Sequence, residues 1–64
     1  MDTPLMDALK LMIFAAHIKE APSHAFKRAF AVKTMEYFEK CEEDGFTIQQ
    51  INDMLEVGYD AKVL

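Results

Sequence analysis

LMDALKLMIFAAHIKE, residues 5–20, is the stretch on which the reading of this chain turns. Wound at 3.6 residues per turn, it presents two apolar faces instead of one. Leu5, Leu9, Met12, Ile13 and Ala16 fall on the first face, and Leu11, Phe14 and Ile18 on the second. Along one side a thin polar strip of Asp7, Lys10 and His17 separates them. A surface helix of a small monomer packs one face and wets the other. A helix with two apolar faces therefore asks for a second packing layer.

The size of the chain sharpens that demand. A domain near 64 residues buries only about 60% of the surface its unfolded chain exposes, and scaffolds this small are commonly reinforced by disulfides, a metal or oligomerisation. Cys41 is the single cysteine, so no disulfide forms within the chain. With hydrophobic residues at 52% of the sequence, oligomerisation is the remaining reinforcement. The expected architecture is one all-α domain over residues 1–64: two long helices and a short third, paired as a homodimer sharing one core. Leu11, Phe14 and Ile18 are the expected oligomer interface, while the middle helix packs across the face of Leu5, Leu9, Met12 and Ala16.

Helix boundaries are marked by local chemistry. Thr3 followed by Pro4 reads as an N-cap with proline at the first helical position, where a missing N–H costs nothing. Pro22 closes the first helix, because the residue before a proline is driven out of the α region. Ser23 caps a second helix that runs to about Asp44, and Gly45 supplies its left-handed C-terminal residue. Thr47 and Gln50 then fit a capping box, with Phe46 and Ile51 at the two positions of a hydrophobic staple. Gly58 reads as the end of this third helix. The middle helix carries an aromatic stripe in which Phe26 and Phe30 are read as core, while Tyr37 and Phe38 divide between core and partner surface. The five methionines suit an adaptable packing surface.

Charge and composition exclude several functions. The net charge is −4 and the isoelectric point about 4.9, opposite to the basic character of a typical nucleic-acid binder. Lys27, Arg28 and Lys33 form the one basic cluster, against a stronger acidic one of Glu36, Glu39, Glu42, Glu43 and Asp44. The longest apolar run with few charges, residues 11–18, is far short of the ~20 residues that span a bilayer. Residues 1–20 lack a basic leader and a small-residue cleavage site. With the single cysteine, these features predict a soluble, cytoplasmic protein.

Chemistry finds little footing. Zinc ligands arrive as paired His or Cys at short spacing, and His17 with Glu20 has no second pair. Cys41 with His17 or His24 lacks any signal of proximity, so Cys41 reads as a small buried hydrophobe. No catalytic residue, cofactor site or metal site is expected, and the chain is read as non-enzymatic.

Residues 45–60, GFTIQQINDMLEVGYD, resemble the front half of a helix-turn-helix: a capped helix followed by a tight glycine turn. The resemblance implies a recognition helix at residues 60–64, which carry a single lysine. Two functions follow. The leading one is a small acidic protein-binding regulator of the adaptor, antirepressor or inhibitor type. It would meet its partner protein through Tyr37, Phe38, Glu39, Glu42 and Glu43. The alternative is a nucleic-acid-binding regulator with a degenerate helix-turn-helix, in which Lys27, Arg28 and Lys33 contact phosphate.

Overall fold

The computed structural model describes residues 3–61, which form three α-helices and no strand: α1 (Pro4–Glu20), α2 (His24–Glu43) and α3 (Ile48–Asp60). Each helix starts where its capping chemistry predicts. Thr3 Oγ1 accepts from the Met6 amide at 3.2 Å, and Ser23 Oγ from the Phe26 amide at 3.3 Å. The α3 capping box is complete: Thr47 Oγ1 accepts from the Gln50 amide at 3.1 Å while Gln50 Oε1 accepts from the Thr47 amide at 2.9 Å. Two orphan helix N–H groups are thereby satisfied reciprocally.

The α2–α3 corner is a Schellman motif. Gly45 takes a left-handed φ of 101°, its amide bonds to the Glu42 carbonyl at 3.1 Å, and the Phe46 amide bonds to the Cys41 carbonyl at 3.1 Å. These bonds satisfy carbonyls that the end of α2 would leave bare, and they aim Phe46 back at the turn it closes. Phe46 packs against a core of Leu11, Cys41 and Ile51, together with Tyr37, Phe38, Met54 and Leu55. Fully burying Leu11 and Ile51 contributes about 1.5–3 kcal/mol each.

The helix order places α1 in the centre. α2 and α3 both pack along it and scarcely touch one another. The Leu11, Phe14 and Ile18 flank of α1 is thus covered from within the chain, where a second chain was expected to cover it. Leu11, expected at a dimer seam, is wholly buried. Phe14 stacks on Tyr37 at 5.7 Å and meets Phe30 at 6.3 Å between ring centroids, and Ile18 is half-buried. The opposite face is the bare one. Leu5 is 68% exposed, and Leu9 and Ile13 stand beside it in solvent. Thus α2 does not lie over Leu5 and Leu9 but over the strip of Asp7, Lys10 and His17 and the face next to it. Two members of the strip keep polar company beneath α2. Lys10 Nζ lies 5.6 Å from the Tyr37 ring centroid. His17 Nδ1 meets the Ile13 carbonyl at 2.7 Å, and its ring packs on Phe30 at 5.5 Å.

Room for α3 comes from small residues. Ala8, Ala15 and Ala16 are buried on α1, and Gly58 is buried on α3. A Cβ at Gly58 would lie 2.6 Å from the Met12 carbonyl oxygen and 2.8 Å from the Met12 Cα. Gly58 does not end the helix, as the sequence suggested. α3 runs through it to Asp60, and the helix closes where the Ala61 amide bonds to the Gly58 carbonyl at 3.2 Å. The glycine turn of a helix-turn-helix is therefore not formed here. Residues 62–64, most of the candidate recognition helix, lie outside the described residues.

Gly58→Ala separates two effects of opposite sign. Helix propensity alone would stabilise α3 by about 1 kcal/mol. The new methyl would instead collide with backbone, which cannot swing aside as a side chain can. The net expectation is a loss of about 1–3 kcal/mol, as in other overpacked sites. A lower thermal midpoint by circular dichroism supports this contact, and an unchanged or raised midpoint refutes it.

Candidate functional site

The second half of α2 brings together most of the expected partner surface, but not all of it on one side. Tyr37 points toward α1. Phe14 covers one region of its ring, and Lys40 Nζ sits 4.7 Å from its centroid. That placement makes Tyr37 part of the α1–α2 seam. Phe38 turns the other way and packs against the Leu11, Cys41 and Ile51 core. Beside Phe38, Met35 is 69% exposed. Met35, Phe38, Glu39 and Glu42 line one open groove of about 360 Å³. Three of the five residues expected to meet a partner (Phe38, Glu39 and Glu42) thus share a groove, with Met35 as a wall the sequence had placed only at the flank. Glu43 is exposed but does not line the groove.

Charges on this stretch are segregated by side. Lys33 pairs with Glu36 at 3.2 Å, and Lys40 lies over Tyr37. Both lysines therefore sit around the helix from the groove. Among the described residues no hydrogen bond or ion pair engages the carboxylates of Glu39, Glu42 or Glu43. The last turn of α2 adds its own negative dipole end to these carboxylates, so the groove is apolar in its floor and negative along its rim.

The basic cluster has no comparable arrangement. At about 100° per residue, Lys27, Arg28 and Lys33 lie roughly 100–140° apart around α2 and make no stripe. Phe26, expected in the core, is 55% exposed and keeps only the partial shelter of its stack on Phe30 at 6.4 Å. It lies in the first turn of α2, where α1 has less to offer it than at Phe30. The aromatic residues from Phe26 through Phe30 and Phe14 to Tyr37 form a continuous ladder along the seam.

Cys41 is buried and reduced, as its reading as a small hydrophobe required. Burial pushes the thiol above its ordinary value of 9.0, and the charges of Asp7 and Asp44 push it further in the same direction. Asp7 itself is only 4% exposed, and its Oδ1 accepts no hydrogen bond from the described residues. Its place in the first turn of α1, next to the positive end of the helix dipole, offsets part of the cost of burying it. Among the described residues no three His, Cys, Asp or Glu side chains come together as a metal site. No helix among them is long and apolar enough to cross a membrane.

The chain matches no protein-family profile, no curated protein and no solved structure.

The Cys41 environment has a measurable consequence. The folded thiol keeps its proton at a pH where the unfolded thiol has released it. Stability from this site is therefore full below pH 9.0 and is lost as pH rises through the folded value. Urea unfolding should show the native chain losing more stability between pH ~8 and ~10.5 than Cys41→Ala does, since other titrations are common to both. Equal losses in the two proteins would remove Cys41 from the account. At neutral pH a thiol reagent should modify Cys41 only at the rate of unfolding.

Proposed function

We propose that this chain is a non-enzymatic protein-binding module, a small acidic regulator that engages another protein through the α2 groove. The supporting observation is the coincidence of Met35, Phe38, Glu39 and Glu42 around one open groove. A methionine wall this exposed is costly to leave in water and adapts readily to a partner's side chains. The acidic rim steers association and selects against acidic surfaces. Nucleic-acid binding has less to stand on, because the basic residues are spread around α2 and Lys33 is paired with Glu36.

A photo-crosslinking residue placed at position 35 in the native host tests the reading. A discrete protein adduct is expected from position 35, lost when Glu39 and Glu42 are both changed to Lys, with no such adduct from exposed position 52 on α3. Absence of any adduct at 35, or an adduct indifferent to the charge reversals, overturns it.

Self-association belongs to the same proposal, through a different face from the one first expected. Leu5, Leu9 and Ile13 form an exposed row at i, i+4 and i+8, with Met6 at its edge. The row is self-complementary under a two-fold axis: antiparallel pairing sets Leu9 on Leu9 and Leu5 on Ile13. A contact of so few side chains falls short of the ≈800 Å² per partner of a stable interface, so the dimer is weak and concentration-dependent. Light scattering should show the mass rising from 7.3 kDa toward twice that value with concentration, and Leu9→Lys should hold it at the monomer mass with helicity intact. A monomer at every concentration rules the dimer out.

A further inference from the structure

The groove on α2 also specifies what kind of segment it takes. Its lining residues run from Met35 to Glu42, two helical turns or about 10 Å of α2 at 1.5 Å per residue. Met35 and Phe38 stand at i, i+3 and supply the apolar floor; Glu39 and Glu42 stand at i, i+3 and supply the rim. An occupant that fills this groove needs one apolar anchor for the floor and positive charge within a helical turn of it. The two cations nearest in sequence are occupied elsewhere, Lys33 on Glu36 and Lys40 over Tyr37. Arg28 shares this side of α2 but lies two turns before Met35. The rim charge is thus not neutralised from α2 itself. A second copy of this chain, with a net charge of −4, is a poor match for such a rim, and so are nucleic acid and an anionic lipid surface.

We infer that the α2 groove docks a cationic amphipathic helix, one apolar side chain seated on Met35 and Phe38 with Lys or Arg against Glu39 and Glu42. This rests on the reading of the groove as a protein-binding site and adds the chemistry of its partner. Helix-in-groove recognition of this kind draws affinity from the anchor and selectivity from the charges around it. Because the rim pairs are solvent-exposed, they contribute through their sum and through steering, and salt weakens them.

The probe is a designed amphipathic peptide of about two heptads with Leu on one face and Lys on the other, beside counterparts carrying Gln or Glu in place of Lys. The protein carries ¹³C-labelled Met methyls and Phe rings, read by NMR. The Lys peptide should shift the Met35 and Phe38 signals and leave Met54 in place. Its affinity should fall roughly tenfold between ~0.05 and ~0.5 M salt, and the Gln peptide should bind roughly tenfold more weakly at low salt. Glu39→Gln with Glu42→Gln preserves the side-chain shape and should bring the Lys peptide down to the level of the Gln peptide. Equal, salt-independent binding of Lys and Gln peptides at Met35 and Phe38 overturns the cationic partner while leaving a protein-docking groove. No shift of Met35 or Phe38 with any peptide overturns the groove reading as well. Shifts centred on Met6, beside the exposed Leu5, Leu9 and Ile13 row, place the peptide on α1 and also overturn the inference.

Discussion

Two backbones meet where α3 crosses α1. With no side chain at Gly58, the Met12 carbonyl and Cα come within a distance that any Cβ would violate. The rest of the packing depends on that approach. Because α3 can come so close, its short apolar face of Ile51, Met54 and Leu55 reaches the flank of α1 lined by Ala8 and Ala15. The other flank is left to α2 and its aromatic side chains. One central helix then holds two partners that barely touch each other. A glycine in a helix interior costs about 1 kcal/mol against alanine, and here the interhelical contact it permits offsets that cost.

The same contact explains which parts of the structure were legible in the sequence. Helix starts and the α2–α3 corner were readable because each depends on residues within six positions of one another: Thr3, Ser23, the Thr47–Gln50 box, and Gly45 ahead of Phe46. Their hydrogen bonds form the same way in any fold that contains those helices. The choice of buried face on α1 was not readable. Leu5, Leu9 and Ile13 form as apolar a row as Leu11, Phe14 and Ile18, and hydropathy cannot rank them. The neighbouring small residues decide instead. Helices approach closely over alanine and glycine, so the arc of α1 that α3 covers runs through Ala8 and Ala15 beside Leu11, and the Leu5, Leu9 and Ile13 row is left outside. Gly58 carried the signal, but a glycine near a helix end reads as a terminator until the neighbouring backbone is known. Likewise nothing local reveals that aromatic rings of α2 meet Lys10 and His17.

The groove was more accessible to sequence reasoning than the core. Phe38, Glu39 and Glu42 adjoin near the end of α2, and local helical geometry is enough to keep them together. Tyr37 adjoins them in sequence but leaves that surface for a tertiary reason: Phe14 reaches it from α1. Neighbouring residues on a helix point about 100° apart, so Tyr37 and Phe38 cannot both serve one surface when a second helix takes one of them.

That division bears on why the acidic end of α2 persists at all. Carboxylates in the last turn of a helix oppose its dipole, at perhaps a few tenths to 1 kcal/mol each, and Glu39, Glu42 and Glu43 have no cation to relieve them among the described residues. A chain this small has little stability to spare. Solubility alone would be served as well by carboxylates in the first turn of α2, where the dipole favours them, yet that turn holds none. Instead the unpaired acids stand beside Met35, the most exposed methionine among the described residues, and next to an aromatic ring rooted in the core. Local stability and surface chemistry are both compromised at the same two turns, and such a conflict of local rules is characteristic of a site shaped by binding.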